Sequence, residues 1–210
     1  MAERGKYIVI EGHDGTGKST QVEMLHKRLS KEGVEAVEIH EPAGVAIADE
    51  LRKIIKNGEL DRDGETNLLL FTAARRELFR QVIAPTLGRG AWVLAARNWR
   101  STAAYQGYGE GLDIDEIETI TRQYTDEAYL NPDFECFLSL QSKQERTKRI
   151  AKRGELENPD TFESRDDDFQ AKVENGYLDI AEKDGLLVID ASPSPEEIHE
   201  EIWKQIQEIK

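Results

Sequence analysis

Tyr7-Ile8-Val9-Ile10-Glu11-Gly12-His13-Asp14-Gly15-Thr16-Gly17-Lys18-Ser19-Thr20 opens on a β-branched apolar run and closes on a glycine-lysine-serine step. Gln21-Val22-Glu23-Met24-Leu25 follows and reads as a helix. Strand, glycine-rich loop, Lys-Ser and helix in that order form a P-loop arrangement. Its glycines let the backbone curl so that several N–H groups converge on phosphate oxygens, with a helix N-terminus behind them. Gly12, His13, Asp14, Gly15, Thr16, Gly17, Lys18, Ser19 and Thr20 are therefore expected to hold a nucleoside triphosphate. Lys18 would reach the β- and γ-phosphates, and the Ser19 hydroxyl would hold Mg²⁺. Chance matches to so loose a pattern occur, but here both flanking elements are of the right kind.

The rest of the chain continues the alternation. Strands are expected over 6–11, 35–41, 91–96, 134–140 and 185–190. Helices are expected over 18–31, 45–57, 65–84, 100–107, 113–127, 141–153, 166–183 and 195–208. In the last of these, Ile198, Ile202, Ile206 and Ile209 form one apolar stripe. Alternating strands and helices predict an α/β fold with a five-stranded parallel sheet covered by helices on both faces. With 210 residues and no linker or repeat, one domain spanning 1–210 is expected. The charged, loop-like run from Gly154 to Asp160 suggests a small lid at about 150–165.

The formal charge is −14, from 28 basic and 42 acidic side chains. Binding to nucleic acid or to an anionic membrane is not expected of so acidic a chain. Small phosphorylated ligands remain open to it, because a local group of arginines can act inside an acidic protein. No apolar run approaches the length of a transmembrane helix, so none is expected, and with the first strand starting so early a signal peptide is not expected either. The lone Cys136, set in an apolar run, is expected to be buried and inert. A cytoplasmic protein fits these features.

Three clusters could serve a phosphoryl acceptor. Phe71 and Arg75 stand four apart on one helix face, where an aromatic plane and a guanidinium could hold a base; a core Phe beside a surface Arg would look the same. Arg97 falls at the end of a strand, where ligands bind in open α/β sheets. Ser101, Thr102, Tyr105 and Gln106 follow it on one helix, as a polar site wall or as a solvated surface. Arg149, Arg153 and Arg165, with Lys148 and Lys152, surround the lid-like run and could close over a triphosphate or simply coat a helix.

Together these residues resemble the thymidylate kinase family of nucleoside monophosphate kinases, in its bacterial form. The resemblance is carried by the P-loop with Asp14, His40-Glu41-Pro42-Ala43-Gly44, Leu70-Phe71 through Arg75, and Ile83-Ala84-Pro85. It continues in Arg97 with Ser101 and Ala104-Tyr105-Gln106-Gly107, Arg153-Gly154-Glu155-Leu156 and Asp190-Ala191. It implies a P-loop kinase of nucleotide biosynthesis that moves the γ-phosphoryl group of ATP–Mg²⁺ to dTMP, and a homodimer. Phe71 would stack on thymine, Arg75 would meet a base carbonyl, and Thr102 would lie at the base edge. Tyr105 would crowd the sugar 2′ position, with Ser101 and Gln106 beside it in the acceptor site. Asp14 would meet the sugar 3′-hydroxyl or the metal region. Arg97 would hold the acceptor phosphate, Arg149 and Arg153 would lie over the donor, and Asp190-Ala191-Ser192 would border the adenine.

Three positions depart from that pattern. Ala96 stands where the family usually has Asp, His40 where it has Arg, and Thr161 where the lid has Arg. Asp14, Glu11, water or substrate oxygens are expected to make up the missing metal contact, and Arg165 could replace the lid arginine. A kinase for another deoxynucleoside monophosphate such as dUMP, or a nucleotide-binding module with little turnover, are the other readings.

Overall fold

A computed structural model describes residues 4–152, 161–162 and 164–210. Five strands, β1 (Tyr7–Gly12), β2 (Ala36–His40), β3 (Trp92–Ala96), β4 (Phe134–Ser139) and β5 (Leu187–Asp190), form one sheet in the order β2-β3-β1-β4-β5. Every pairing is parallel, with Val9 opposite Ala95 and Ile10 opposite Cys136. Parallel strands covered on both faces must be apolar on both. Tyr7, Val9, Val93, Ala95 and Phe137 accordingly point into one core, and Ile8, Ile10, Leu94, Cys136 and Leu138 into the other. Cys136 is buried, and burial pushes its thiol well up.

The expected helices are present as α1 (Lys18–Lys31), α2 (Ala46–Lys56), α3 (Gly64–Leu78), α8 (Lys143–Ala151), α9 (Asp167–Asp184) and α10 (Pro195–Ile209), with three differences elsewhere. The helix expected to stop at 84 runs on through a π-helical turn, Phe79–Ile83, into α4 (Ala84–Gly88). Pro85 has no N–H, and its ring would crowd the carbonyl of the previous turn; widening that turn removes the conflict. The segment expected over 100–107 is a short α5 (Trp99–Thr102) that widens into a π-helix over Ala103–Gly109. The segment expected over 113–127 splits into α6 (Ile114–Tyr124) and α7 (Glu127–Leu130). Asp126 makes the break by accepting a hydrogen bond from the Tyr129 N–H at 3.0 Å, a bond available only outside a helix.

Ile198, Ile202 and Ile206 are buried beneath α10, as their spacing predicts. The Asp166 side chain caps α9 by accepting from the Phe169 N–H, and Asp167 and Asp168 follow in the first turn, where acid favours the helix dipole.

Candidate active site

The loop between β1 and α1 takes its form from glycine. Gly12 has φ +146°, and a Cβ there would lie 2.7 Å from the Leu138 carbonyl oxygen and 2.8 Å from Thr16 Oγ1. Gly17, at φ +100°, starts α1 in the left-handed region. Thr16 Oγ1 and Lys18 Nζ both donate to the His13 carbonyl, at 2.9 and 2.8 Å. The His13 ring is buried, neither of its nitrogens has a partner among the described residues, and burial lowers its pKa to about 4.

At the carboxyl end of β3, Arg97 has φ +77° and is the one non-glycine residue with positive φ among the described residues. The turn aims its guanidinium back at the loop. Nη2 donates to Asp14 Oδ1 at 2.6 Å, and Nη1 donates to Ser101 Oγ at 2.9 Å and to the Tyr177 hydroxyl at 2.8 Å. Asp14 also accepts from the Tyr105 hydroxyl at 3.0 Å. Burial alone would raise the Asp14 carboxyl, but the Arg97 and Lys18 cations outweigh it and hold the group well below the usual carboxylate range.

The turn itself is held by Glu11. Its buried carboxylate accepts from the Asn98 N–H at 2.8 Å, the Ser101 N–H at 3.1 Å and the Tyr177 hydroxyl at 3.2 Å. Both of its oxygens are engaged there.

A cleft of about 170 Å³ opens between these elements, α2 and α3. All eight residues expected on the acceptor side line it: Asp14, Phe71, Arg75, Arg97, Ser101, Thr102, Tyr105 and Gln106, together with Lys18 and Ser19. Arg75 is buried and pairs with Glu41 at 3.0 Å. Gln106 donates through Nε2 to the Glu110 carboxylate, which fixes the orientation of the amide. Gln106 Oε1 is buried and has no hydrogen-bond partner among the described residues.

Of the lid cations, Arg149 donates to the Ala191 carbonyl at 3.0 Å, within the segment expected to border adenine. Arg153 lies outside the described residues, as does most of the expected lid. Arg165 does not line the cleft: it lies over the Phe169 ring and 3.5 Å from Glu110. Among the described lid residues it is Phe162 that lines the cleft, its ring packing against Phe71 and Tyr105 at centroid distances of 5.8 and 5.9 Å. Its neighbour Thr161 donates to the Ile55 and Lys56 carbonyls at the end of α2.

Phe162, Arg52, Lys56 and Glu41, which line the cleft, and Tyr177, which supports Arg97 from behind it, escape a reading of the sequence. Glu41 had a signal, lying beside Pro42 directly after a strand. Tyr177 had none, since it reaches Glu11 from 166 positions away.

A family model described as thymidylate kinase matches residues 10–202 of the chain. The thymidylate kinase of Halothermothrix orenii is 35% identical over 204 residues, covering 97% of each chain. That of Kosmotoga olearia is 38% identical, covering 95% of this chain and 94% of its own. A crystal structure of thymidylate kinase from Ehrlichia chaffeensis superposes with a TM-score of 0.76 at 30% identity, covering 97% of this chain and 99% of that one.

Proposed function

The chain belongs to the thymidylate kinase family, and from that premise we propose that its cleft receives dTMP as acceptor of the γ-phosphoryl group of ATP, giving dTDP and ADP. The observation that carries this reading is Arg97. One guanidinium, bonded to Asp14 of the phosphate loop and to Ser101 of the acceptor wall, joins the donor and acceptor halves of a single site. The binding-only alternative is not favoured, because the whole acceptor wall is assembled.

In this reading the loop amides and Lys18 hold the β- and γ-phosphates. Phe71, Arg75, Thr102 and Gln106 receive the base, while Tyr105 and Asp14 border the sugar. Arg97 turns the acceptor phosphate towards the γ-phosphorus. A bond forms from an acceptor phosphate oxygen to that phosphorus as its bond to the β,γ-bridging oxygen breaks, and the electron pair leaves with ADP. The attacking oxygen is already ionised near neutral pH, so positioning and charge neutralisation outweigh any need for a general base. The Ser19 hydroxyl and the Asp14 carboxylate are hard oxygen donors lining one cleft, which suits Mg²⁺. The ion, when bound, neutralises charge on the transferring phosphates. Arg149 and Arg153 would face the donor.

A cytoplasmic homodimer belongs to the same reading. No described helix is long and apolar enough to cross a membrane, and α3 presents Leu69 to the exterior at 61% exposure. ADP release with ATP–Mg²⁺ should depend on dTMP and exceed that with dUMP, dGMP, CMP or no acceptor. A larger signal with another monophosphate would reassign the acceptor, and ATP binding without turnover would overturn the kinase assignment.

A further inference from the structure

Glu41 is among the least exposed charged groups of the protein, yet it touches the cleft. Its backbone N–H donates to the Ala96 carbonyl at 3.1 Å, which ties it to the residue before Arg97. Its carboxylate accepts from Arg75 Nε at 3.0 Å, from the Tyr129 hydroxyl at 2.7 Å and from the Tyr7 hydroxyl at 3.2 Å. So held, Arg75 donates through Nη1 to Thr102 Oγ1 at 2.6 Å and through Nη2 to the Asn98 carbonyl at 2.9 Å. Asn98 is thereby gripped from two sides, its carbonyl by Arg75 and its N–H by Glu11 at 2.8 Å. It directly follows Arg97, whose φ of +77° is a conformation that a side chain other than glycine adopts only when its surroundings enforce it.

We propose that Glu41 is a positioning residue that couples base recognition to the aim of Arg97, acting through Arg75 and the Asn98 backbone. The inference rests on the reading above, in which the base lies on the Phe71–Arg75 side and the acceptor phosphate at Arg97. Two features of the network give it this role. A buried guanidinium keeps one orientation only while its carboxylate is in place. The same guanidinium lines the cleft while holding the turn that aims Arg97. A base that engages Arg75 therefore steadies the phosphate clamp, and a base that does not engage it leaves the clamp looser. Discrimination between bases then shows in the rate of transfer as well as in binding.

The test is steady-state kinetics of Glu41→Gln, which keeps the side chain's size and removes its charge. At saturating dTMP, kcat should fall about tenfold or more, the preference for dTMP over dCMP should shrink, and the KM for ATP should stay within about twofold of wild type. In an Arg75→Ala background the same substitution should change kcat by less than about twofold, because Glu41 acts through Arg75. An unchanged kcat with only a raised KM for dTMP would overturn the coupling, as would a full further loss in the Arg75→Ala background. Should Glu41→Gln fail to fold, Tyr129→Phe removes one donor to the carboxylate and should shift kcat and base preference in the same direction; no shift in either would overturn the proposal. Wild-type enzyme separates the two levels of inference. If it does not turn over dTMP, the assignment of the site fails. If it does and the variants keep its kcat and base preference, the coupling alone fails.

Discussion

At the scale of single residues, His13 shows how the phosphate loop trades stability against acid. Its ring is buried, both nitrogens lack partners among the described residues, and burial outweighs the attraction of Asp14 to bring its pKa from 6.5 to about 4. A histidine with a lowered folded pKa binds its proton more readily when unfolded. Its contribution to stability is therefore intact above pH 6.5 and is lost as pH falls towards 4. Linkage puts the loss between pH 7.5 and 5 at about 2 kcal/mol. His13→Val should remove that component, so urea unfolding at the two pH values should differ by correspondingly less in the variant; an equal acid loss in both proteins would refute the buried neutral histidine. The same scale shows what a sequence discloses. The loop and the segment from Arg97 to Gln106 are local patterns, so their residues could be named and all eight acceptor positions line one cleft. Glu11, Glu41 and Tyr177 were not assigned their roles, because those roles come from partners 34 to 166 positions away. Arg165 was open to misreading for the same reason, since its partners Glu110 and Phe169 belong to the tertiary fold.

At the scale of elements, the acceptor wall is a helix that changes its winding, and α9 is the element that backs it. The π-helical stretch Ala103–Gly109 packs against α9 so closely that a Cβ at Gly176 would stand 2.6 Å from Tyr108 Cγ and 2.7 Å from Tyr108 Cβ. These atoms lie at the root of the ring and cannot swing away, so the two helices themselves would have to separate. Tyr177, the next residue on α9, is bonded to Arg97, Ser101 and Glu11, which makes that separation a catalytic matter too. Gly176→Ala should destabilise the protein by about 1–3 kcal/mol, the usual cost of overpacking. It should also lower kcat, read by thermal unfolding and by turnover at saturating substrates. An unchanged melting temperature would mean that the helices absorb the methyl group. Periodicity indicated a helix here but not its winding, since residues four apart remain near neighbours in either form. The extension past Pro85 was hidden likewise, because proline in a sequence reads as a stop whether or not a widened turn accommodates it.

At the scale of the molecule, the alternation of apolar strands with amphipathic helices left little choice of fold. Five parallel strands need crossovers, crossovers are helices, and each helix buries its stripe on one of two faces. Such a pattern speaks only for surfaces that close within one chain. The outer face of α3 and of the turn after it is different: Leu69, Ala73, Arg76 and, in the turn, Arg80 are all exposed, with Leu69 at 61%, and the Arg76 guanidinium lies 5.6 Å over the exposed Tyr124 ring of α6. If the homodimer forms through this face, Leu69 becomes a buried anchor at its centre, and the two acid-rich subunits repel each other across it. Both consequences can be read by sedimentation. Wild-type protein should shift towards dimer as salt rises from about 0.05 to 0.5 M, because a shorter screening length weakens the repulsion and leaves apolar contact intact. Leu69→Glu should shift it towards monomer at every salt concentration, with the melting temperature of the monomer little changed since the site is exposed. A wild-type chain that sediments as monomer throughout would remove the dimer, and a Leu69→Glu dimer as tight as wild type would move the interface off α3.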